Sequence, residues 1–305
     1  MIDYVKIWYP LNGVNYALPK DSPLRMYNVY DLGTNECLNE AFGRYKGMRY
    51  KVRYSVNESD EKVASFLEIS LSLHYLSNDF RHNYNHFGYS QLCKSIDIIS
   101  SMFGIPSNKL ILKNLEFGVN IKLPFLVNEI LPYFLFYKRN RFKTVHDTKG
   151  NYIQSEPTRR FIKAYNKGLQ FKLPYNLLRF ENKYLLSSQF KKYGIETLAD
   201  LKNVDSLYCL HQELLDSWDK CLIFEKPINP ITDLKKKNRL LEWQSAMTWE
   251  DIMNQPNDRN KFARERKKLD KYIIEETQNK KGQIEALIIS EWKEFKRHAI
   301  NEFVC

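Results

Sequence analysis

Residues 161–183 read FIKAYNKGLQFKLPYNLLRFENK. Two segments within it, FIKAYNK and LLRFENK, have the character of β-strands lying close together. Successive side chains on a strand point to opposite faces, so residues two apart share a face. In the first segment that rule groups Lys163, Tyr165 and Lys167, with Ile162 and Ala164 opposite. In the second it groups Arg179 with Glu181. A tyrosine, lysines and a carboxylate on one polar sheet face have the chemistry to cut and rejoin a phosphodiester.

The same reading extends outward. Ser65–Leu76, SFLEISLSLHYL, alternates: Leu67, Ile69, Leu71 and Leu73 face one way, and Glu68, Ser70, Ser72 and His74 the other. This predicts a half-buried strand. Asn114–Leu123 alternates too, with Leu115, Phe117, Val119 and Ile121 inward and Glu116 and Asn120 on the polar face. Asp3–Trp8 and Arg49–Val56 read as further strands. Ser90 is the expected cap of a helix that ends at Gly104. VNEILPYFLFYK reads as a short helix. The expected fold class is α+β: an antiparallel sheet with helices on one face, followed by a mostly helical C-terminal region.

Beyond Lys183 the pattern turns helical. Tyr184–Lys192 reads as helix, and YGIETLADLKNVDSLYCLHQELLDSWDKCLIF as two more, the second capped by Asp205 or Ser206. EKPINPITD, with two prolines, is a candidate linker. Residues 233–305 read as helices broken at NQPND and near Asn279–Gly282. The expected organisation is an α+β domain over 1–185, a helical extension over 186–226 and a basic helical domain over 233–305.

Charge narrows the function. Residues 138–192 hold fourteen Lys/Arg and three acids, a net +11 that equals the formal excess of the whole chain. Such clustering is the footprint of a polyanion binder, and its plain rival is a solvated lysine-rich surface. Residues 233–305 carry sixteen Lys/Arg and thirteen Asp/Glu, so their excess is small. The eleven glycines form neither a Walker loop nor a GxGxxG motif. The five cysteines are scattered and odd in number, which points to reduced thiols rather than a disulfide scaffold or a zinc ribbon. No apolar run approaches the roughly 20 residues of a membrane span. MIDYVKIWYP lacks the pattern of a signal peptide, so a cytoplasmic location and no membrane partner are expected.

If the strands share one sheet, their polar faces form one cleft. Tyr165 is then a candidate nucleophile and Lys167 a candidate catalytic lysine that holds phosphate. Glu116, His74, Glu181 and Glu68 become candidate ligands for a divalent cation, Mg²⁺ or Mn²⁺. Lys163, Arg159, Arg160, Arg179 and Lys172 become candidate DNA contacts. A phenol titrates near 10, so it needs a nearby cation or base before it attacks phosphorus. A hard metal ion held by carboxylates polarises the scissile phosphate. Each residue also has a plain reading. Tyr165 is one of 20 tyrosines, Glu116 fits an exposed strand position, and Glu181 fits a salt-bridge partner of Arg179. His74 fits a strand end. His82 and His86, in RHNYNH, read as loop residues rather than metal ligands.

The order LEFGVNI, KAYNKG, LLRFENK, YGIETLADL resembles the rolling-circle replication initiators, a group that includes plasmid replication initiation factors and the gene II-type proteins of filamentous phages, related to the HUH endonucleases. The resemblance covers roughly residues 65–220. It implies an HUH-like nuclease that nicks and religates single-stranded DNA at a phage or plasmid origin through a covalent 5′-phosphotyrosine. The implied partners are origin DNA, as a single strand or hairpin, and a host helicase or replisome. Tyr165 and Lys167 stand at the family's tyrosine–lysine motif, Glu116 where relatives often carry Asp, and Arg179 and Glu181 at its R-x-E strand. The chain departs from the pattern at Leu115, which replaces an Arg, and around His74, where LHYL replaces a His-hydrophobic-His motif. Tyr152 and Tyr175 stay open as alternative nucleophiles. A non-catalytic nucleic-acid-binding protein, a relaxase-like mobilisation protein and an RNA-binding or structural phage protein are the rival functions.

Overall fold

A computed structural model describes residues 2–12, 16–30, 33, 37–57, 60–147 and 150–300. The chain opens with β1 (Ile2–Pro10), β2 (Tyr27–Tyr30), β3 (Cys37–Tyr45), β4 (Met48–Val56) and β5 (Lys62–Ser72). Helices α1 (Leu73–Ser77) and α2 (Tyr89–Phe103) follow, then β6 (Ile111–Lys122), β7 (Phe134–Tyr137) and β8 (Asn140–Arg141). Next come β9 (Lys143–Asp147), β10 (Gly150–Ser155), β11 (Arg160–Asn166), α3 (Lys167–Gln170), β12 (Leu177–Tyr184) and α4 (Ser188–Lys191). The last are α5 (Val204–Asp219), β13 (Cys221–Ile223), α6 (Leu234–Gln244), α7 (Ala246–Met253), α8 (Asp258–Glu276) and α9 (Lys280–Ile300). A 10-stranded sheet has the order β2-β3-β4-β5-β1-β6-β12-β11-β10-β9, and β13-β7-β8 form a second sheet. The fold is α+β with a large antiparallel sheet and a helical C-terminal region. No helix among the described residues is long and apolar enough to cross a membrane.

Contacts divide the chain into two compact units. The first comprises Met1–Gly118, Lys183–His211 and Glu294–Cys305. Its core follows the alternation: Val5, Ile7, Leu67, Ile69 and Leu71 are buried, as are Leu92, Ile96, Ile99 and Phe103 of α2. Phe103 meets Tyr50 edge-on at 5.5 Å, which sets α2 on the apolar face. Each buried aliphatic or Phe side chain is worth about 1.5–3 kcal/mol. At Gly43 an added Cβ would fall 2.3 Å from the Arg25 carbonyl and the Tyr50 ring, so only glycine fits.

Helix starts depart from the sequence reading in four places. Strand β5 stops at Ser72, whose hydroxyl accepts from the Tyr75 amide and caps α1. Leu73 and His74 are therefore helical rather than strand residues. Helix α2 begins at Tyr89, and the Gln91 side chain accepts from the Gly88 amide, so Ser90 lies inside the first turn. Its end at Gly104, in the left-handed region with φ 65°, is as expected. The α5 cap is Asn203, which accepts from the amides of both Asp205 and Ser206. Tyr184, read as helical, closes β12.

The second unit comprises Val119–Asn182 and Gln212–Lys293. VNEILPYFLFYK is not a helix. It makes two short 3₁₀ turns and then β7, fully buried and paired with β13. Leu135, Phe136, Leu222 and Phe224 share one apolar cluster with Leu240, Trp243, Trp249, Leu269, Tyr272 and Ile273. The C-terminal helices thus pack on the small sheet. Glu225, in the proline-containing connection, is buried; its carboxylate accepts from the amides of Lys280 and Lys281 and so caps α9. Trp218 packs edge-on against Phe180 and Phe134 and donates to the Lys281 carbonyl.

Candidate functional site

In the first unit, β1 pairs with β6 through Ile2↔Phe117 and Val5↔Leu115. Three steps on β1 face two on β6, so β1 carries an extra residue there. Such a bulge re-aims a side chain. Strict alternation would put Asp3 with Val5 and Ile7 on the apolar face. The bulge places Ile2 in the core instead and turns Asp3 to the polar face, where its carboxylate accepts from the Ser72 hydroxyl and from Asn83 Nδ2 at 2.9 Å. Glu116 lies on that polar face of β6, 3.5 Å from Lys183 Nζ. Lys183 in turn sits 5.1 Å from the centre of the Tyr4 ring.

In the second unit, β11 alternates as read: Ile162 and Ala164 are buried while Lys163 and Tyr165 are half-buried on the other face. Glu181 accepts from Arg179 Nε at 2.8 Å and faces Lys163 Nζ at 3.8 Å. Arg179 Nη1 donates to Asn120 of β6 at 3.3 Å. Both Arg179 and Glu181 are buried, only 2% exposed. Lys163 also lies 5.3 Å from the centre of the Tyr152 ring.

Asp3 and Glu116 each offer a carboxylate oxygen on the polar face of the first unit, and the two lie within 4.8 Å of one another. Two hard oxygen donors so close could contribute to holding a divalent cation. Asp3 was missed by the sequence reading. Its signal was there: apolar residues at both 2 and 5, an odd spacing that strict alternation forbids.

The other candidates lie as follows. Glu68, on β5, accepts from Trp8 Nε1 and pairs with Lys6, both at 3.0 Å. His74 is buried in α1, where Nε2 meets Asn85 Oδ1 at 2.8 Å and the ring stacks on Phe87. Neither belongs to the carboxylate group of Asp3 and Glu116. Lys167 is not on the strand face with Tyr165; the strand ends at Asn166, whose side chain caps α3, and Lys167 is buried in its first turn. The following Gly168 is required, since a Cβ there would lie 2.6 Å from the Tyr175 carbonyl. Arg160 turns to α5, bonding Glu213 at 2.6 Å and the Ser217 hydroxyl. Arg159 and Lys172 are exposed. Tyr175 lies under Lys122. His82 and His86 are in a loop, as read.

The basic segment is less free than its charge suggests. Arg139 pairs with Asp258, Arg141 with Glu250 and Lys191 with Glu196. Among the described residues Cys93, Cys209 and Cys221 are free thiols, and burial pushes that of Cys221 up to about 12.

No family model matches the chain, and no curated protein matches it. Among solved structures, the rolling circle replication initiator protein from Geobacillus stearothermophilus aligns with 80% of this chain and 96% of its own, at 12% identity and a TM-score of 0.33.

Proposed function

We propose that this chain is a replication initiator that nicks and religates single-stranded DNA at a phage or plasmid origin. The observation that carries this reading is the gathering of Asp3 and Glu116 oxygens within 4.8 Å on the polar face of the first unit. Carboxylates this close repel one another unless cations offset them, and their chemistry suits a hard ion such as Mg²⁺ or Mn²⁺. Asp3 and Glu116 would hold the ion, which when bound supplies polarisation of a phosphate oxygen.

Tyr165 is the proposed nucleophile. Its phenolic oxygen, having lost its proton, bonds to phosphorus; the bond from phosphorus to the 3′-oxygen breaks, and that oxygen takes up a proton. The 5′ end stays joined as a phosphotyrosine until a 3′-hydroxyl reverses the step. Lys163, beside Glu181, is placed to hold a phosphate, and exposed Arg159 and Lys172 to contact the backbone. Buried Lys167 and Arg179 act from behind as positioning residues. The α6–α9 region would contribute to origin recognition or to a helicase contact.

The test is mass spectrometry of the DNA–protein adduct trapped on supercoiled DNA of the replicon encoding the chain, with Mg²⁺ or Mn²⁺. The expected adduct is on Tyr165 and disappears in Tyr165→Phe. An adduct on Tyr152 or Tyr175 would move the nucleophile. A second reading, a non-catalytic nucleic-acid-binding protein, is favoured by the protein partners that the acids already have: Lys183 for Glu116, and Arg179 and Lys163 for Glu181. It predicts no adduct with either metal.

A further inference from the structure

The polar face of the first unit's sheet carries a pattern the charge count did not reveal. Register places Arg49, Lys51 and Arg53 of β4 opposite Ser70, Glu68 and Phe66 of β5. Trp8 of β1 lies opposite Glu68, so all of these project from the same face. Phe66 stacks on Trp8 with ring centres 4.8 Å apart. Arg53 lies 5.6 Å from the Phe66 ring centre and Lys113 4.5 Å from that of Trp8, so each end of the stack carries a cation. Across β4, Phe42 lies opposite Lys51 on the same face, and Tyr27 opposite Phe42. Phe42 is 42% exposed and Tyr27 60%.

These aromatics are out of place on a solvent face. The helix α2 packs on the opposite side through Phe103 and Tyr50, so they are no part of that core. Glu40 and Glu68 are the acids that the registers set among these cations; Glu40 pairs with Arg53 at 3.1 Å and with Lys51 at 3.7 Å, and Glu68 with Lys6. Aromatic rings interleaved with cations on an open sheet fit one class of ligand: flat, stackable bases strung on a phosphate backbone. Strands lie about 4.8 Å apart, so the Phe42 and Phe66 strands stand about 10 Å apart, a reach of one to two extended nucleotides.

We infer that this face is a base-stacking platform for single-stranded DNA, with Trp8/Phe66 and Phe42/Tyr27 receiving bases and Arg49, Lys51 and Arg53 receiving phosphates. The inference does not depend on cleavage at Tyr165. Duplex DNA, whose bases are already stacked, would meet only the cations.

The test is fluorescence anisotropy of fluorescein-labelled dT20, in EDTA so that no metal-dependent cut intervenes, alongside rU20 and a 20-base-pair duplex. The full chain should bind dT20 more tightly than the duplex. Phe42→Ser, at an exposed position that does not serve the core, should weaken dT20 binding about tenfold and leave duplex binding unchanged. Arg49→Ala with Arg53→Ala should lower the slope of log K against log salt by about 1.4. Phe66→Ala should act like Phe42→Ser, with a thermal melt confirming that it folds. Equal binding of duplex and dT20, or wild-type dT20 affinity in both aromatic variants, would overturn the platform. Preference for rU20 would overturn DNA as its ligand.

Discussion

Strands β5 and β12 look alike in sequence and behave differently in the fold. In β5 the apolar residues Leu67, Ile69 and Leu71 are buried and the polar ones between them keep partial exposure. In β12 every residue from Leu177 to Asn182 is buried, Arg179, Glu181 and Asn182 included. Alternation tells which residues share a face; it does not tell how deep that face lies. On β5 the charge of Glu68 pairs with a partly exposed Lys6. On β12 the charges must satisfy one another: Glu181 takes Arg179 and Lys163, and Asn182 donates to Ser217 at 3.0 Å. A buried charge network costs desolvation energy and is kept where position matters more than stability.

The same substitution on the two strands tests this difference. Glu181→Gln leaves Arg179 and Lys163 short of charge in a buried site and should cost about 3–5 kcal/mol in urea unfolding. Glu68→Gln should cost no more than about 1 kcal/mol. Equal costs would mean that β12 is no more demanding than β5.

Acidity probes a buried group outside both strands. Burial lowers His211 from 6.5 to about 4, so the folded chain holds this ring neutral. Between those values the unfolded chain binds the extra proton, and stability falls as pH drops from about 7 toward 4. His211→Phe should flatten that part of a stability–pH curve.

The proposed metal response is next in size. Mn²⁺ or Mg²⁺ at about 100 times its dissociation constant should stabilise the wild type by about 2.7 kcal/mol. Asp3→Asn and Glu116→Gln should lose that gain in thermal melts, whereas Glu68→Gln should keep it. Gly168→Ala drives a Cβ against the Tyr175 carbonyl and should cost about 1–3 kcal/mol.

Much of the architecture was legible because it follows from local periodicity. The faces of β5, β6 and β11 and the glycine end of α2 needed no tertiary knowledge. Where the reading failed, a distant partner decided the outcome. PYFLFYK is as apolar as a buried helix, and it becomes β7 because Cys221–Ile223 pairs with it. The basic run at 138–192 suggested a free cationic surface, yet acids as remote as Glu250 and Asp258 neutralise part of it. The better-exposed aromatic and cationic face lies at residues 42–66, whose six Lys/Arg against three Asp/Glu give a smaller excess than the basic run.

By itself the sequence determined the α+β class, the polar face holding Lys163 and Tyr165, and the pairing of Arg179 with Glu181 two residues away, because side-chain direction on a strand is a local property. Only the tertiary structure decided which acids meet. Asp3 joins Glu116 because a bulge in β1, visible only against its partner strand, shifts the phase of alternation by one residue. His74 leaves that face because the Ser72 hydroxyl ends β5 and starts a helix. Lys167 leaves it because β11 ends one residue earlier, at the Asn166 cap. Register and chain termination are set by partners far along the chain, and no window of sequence contains both.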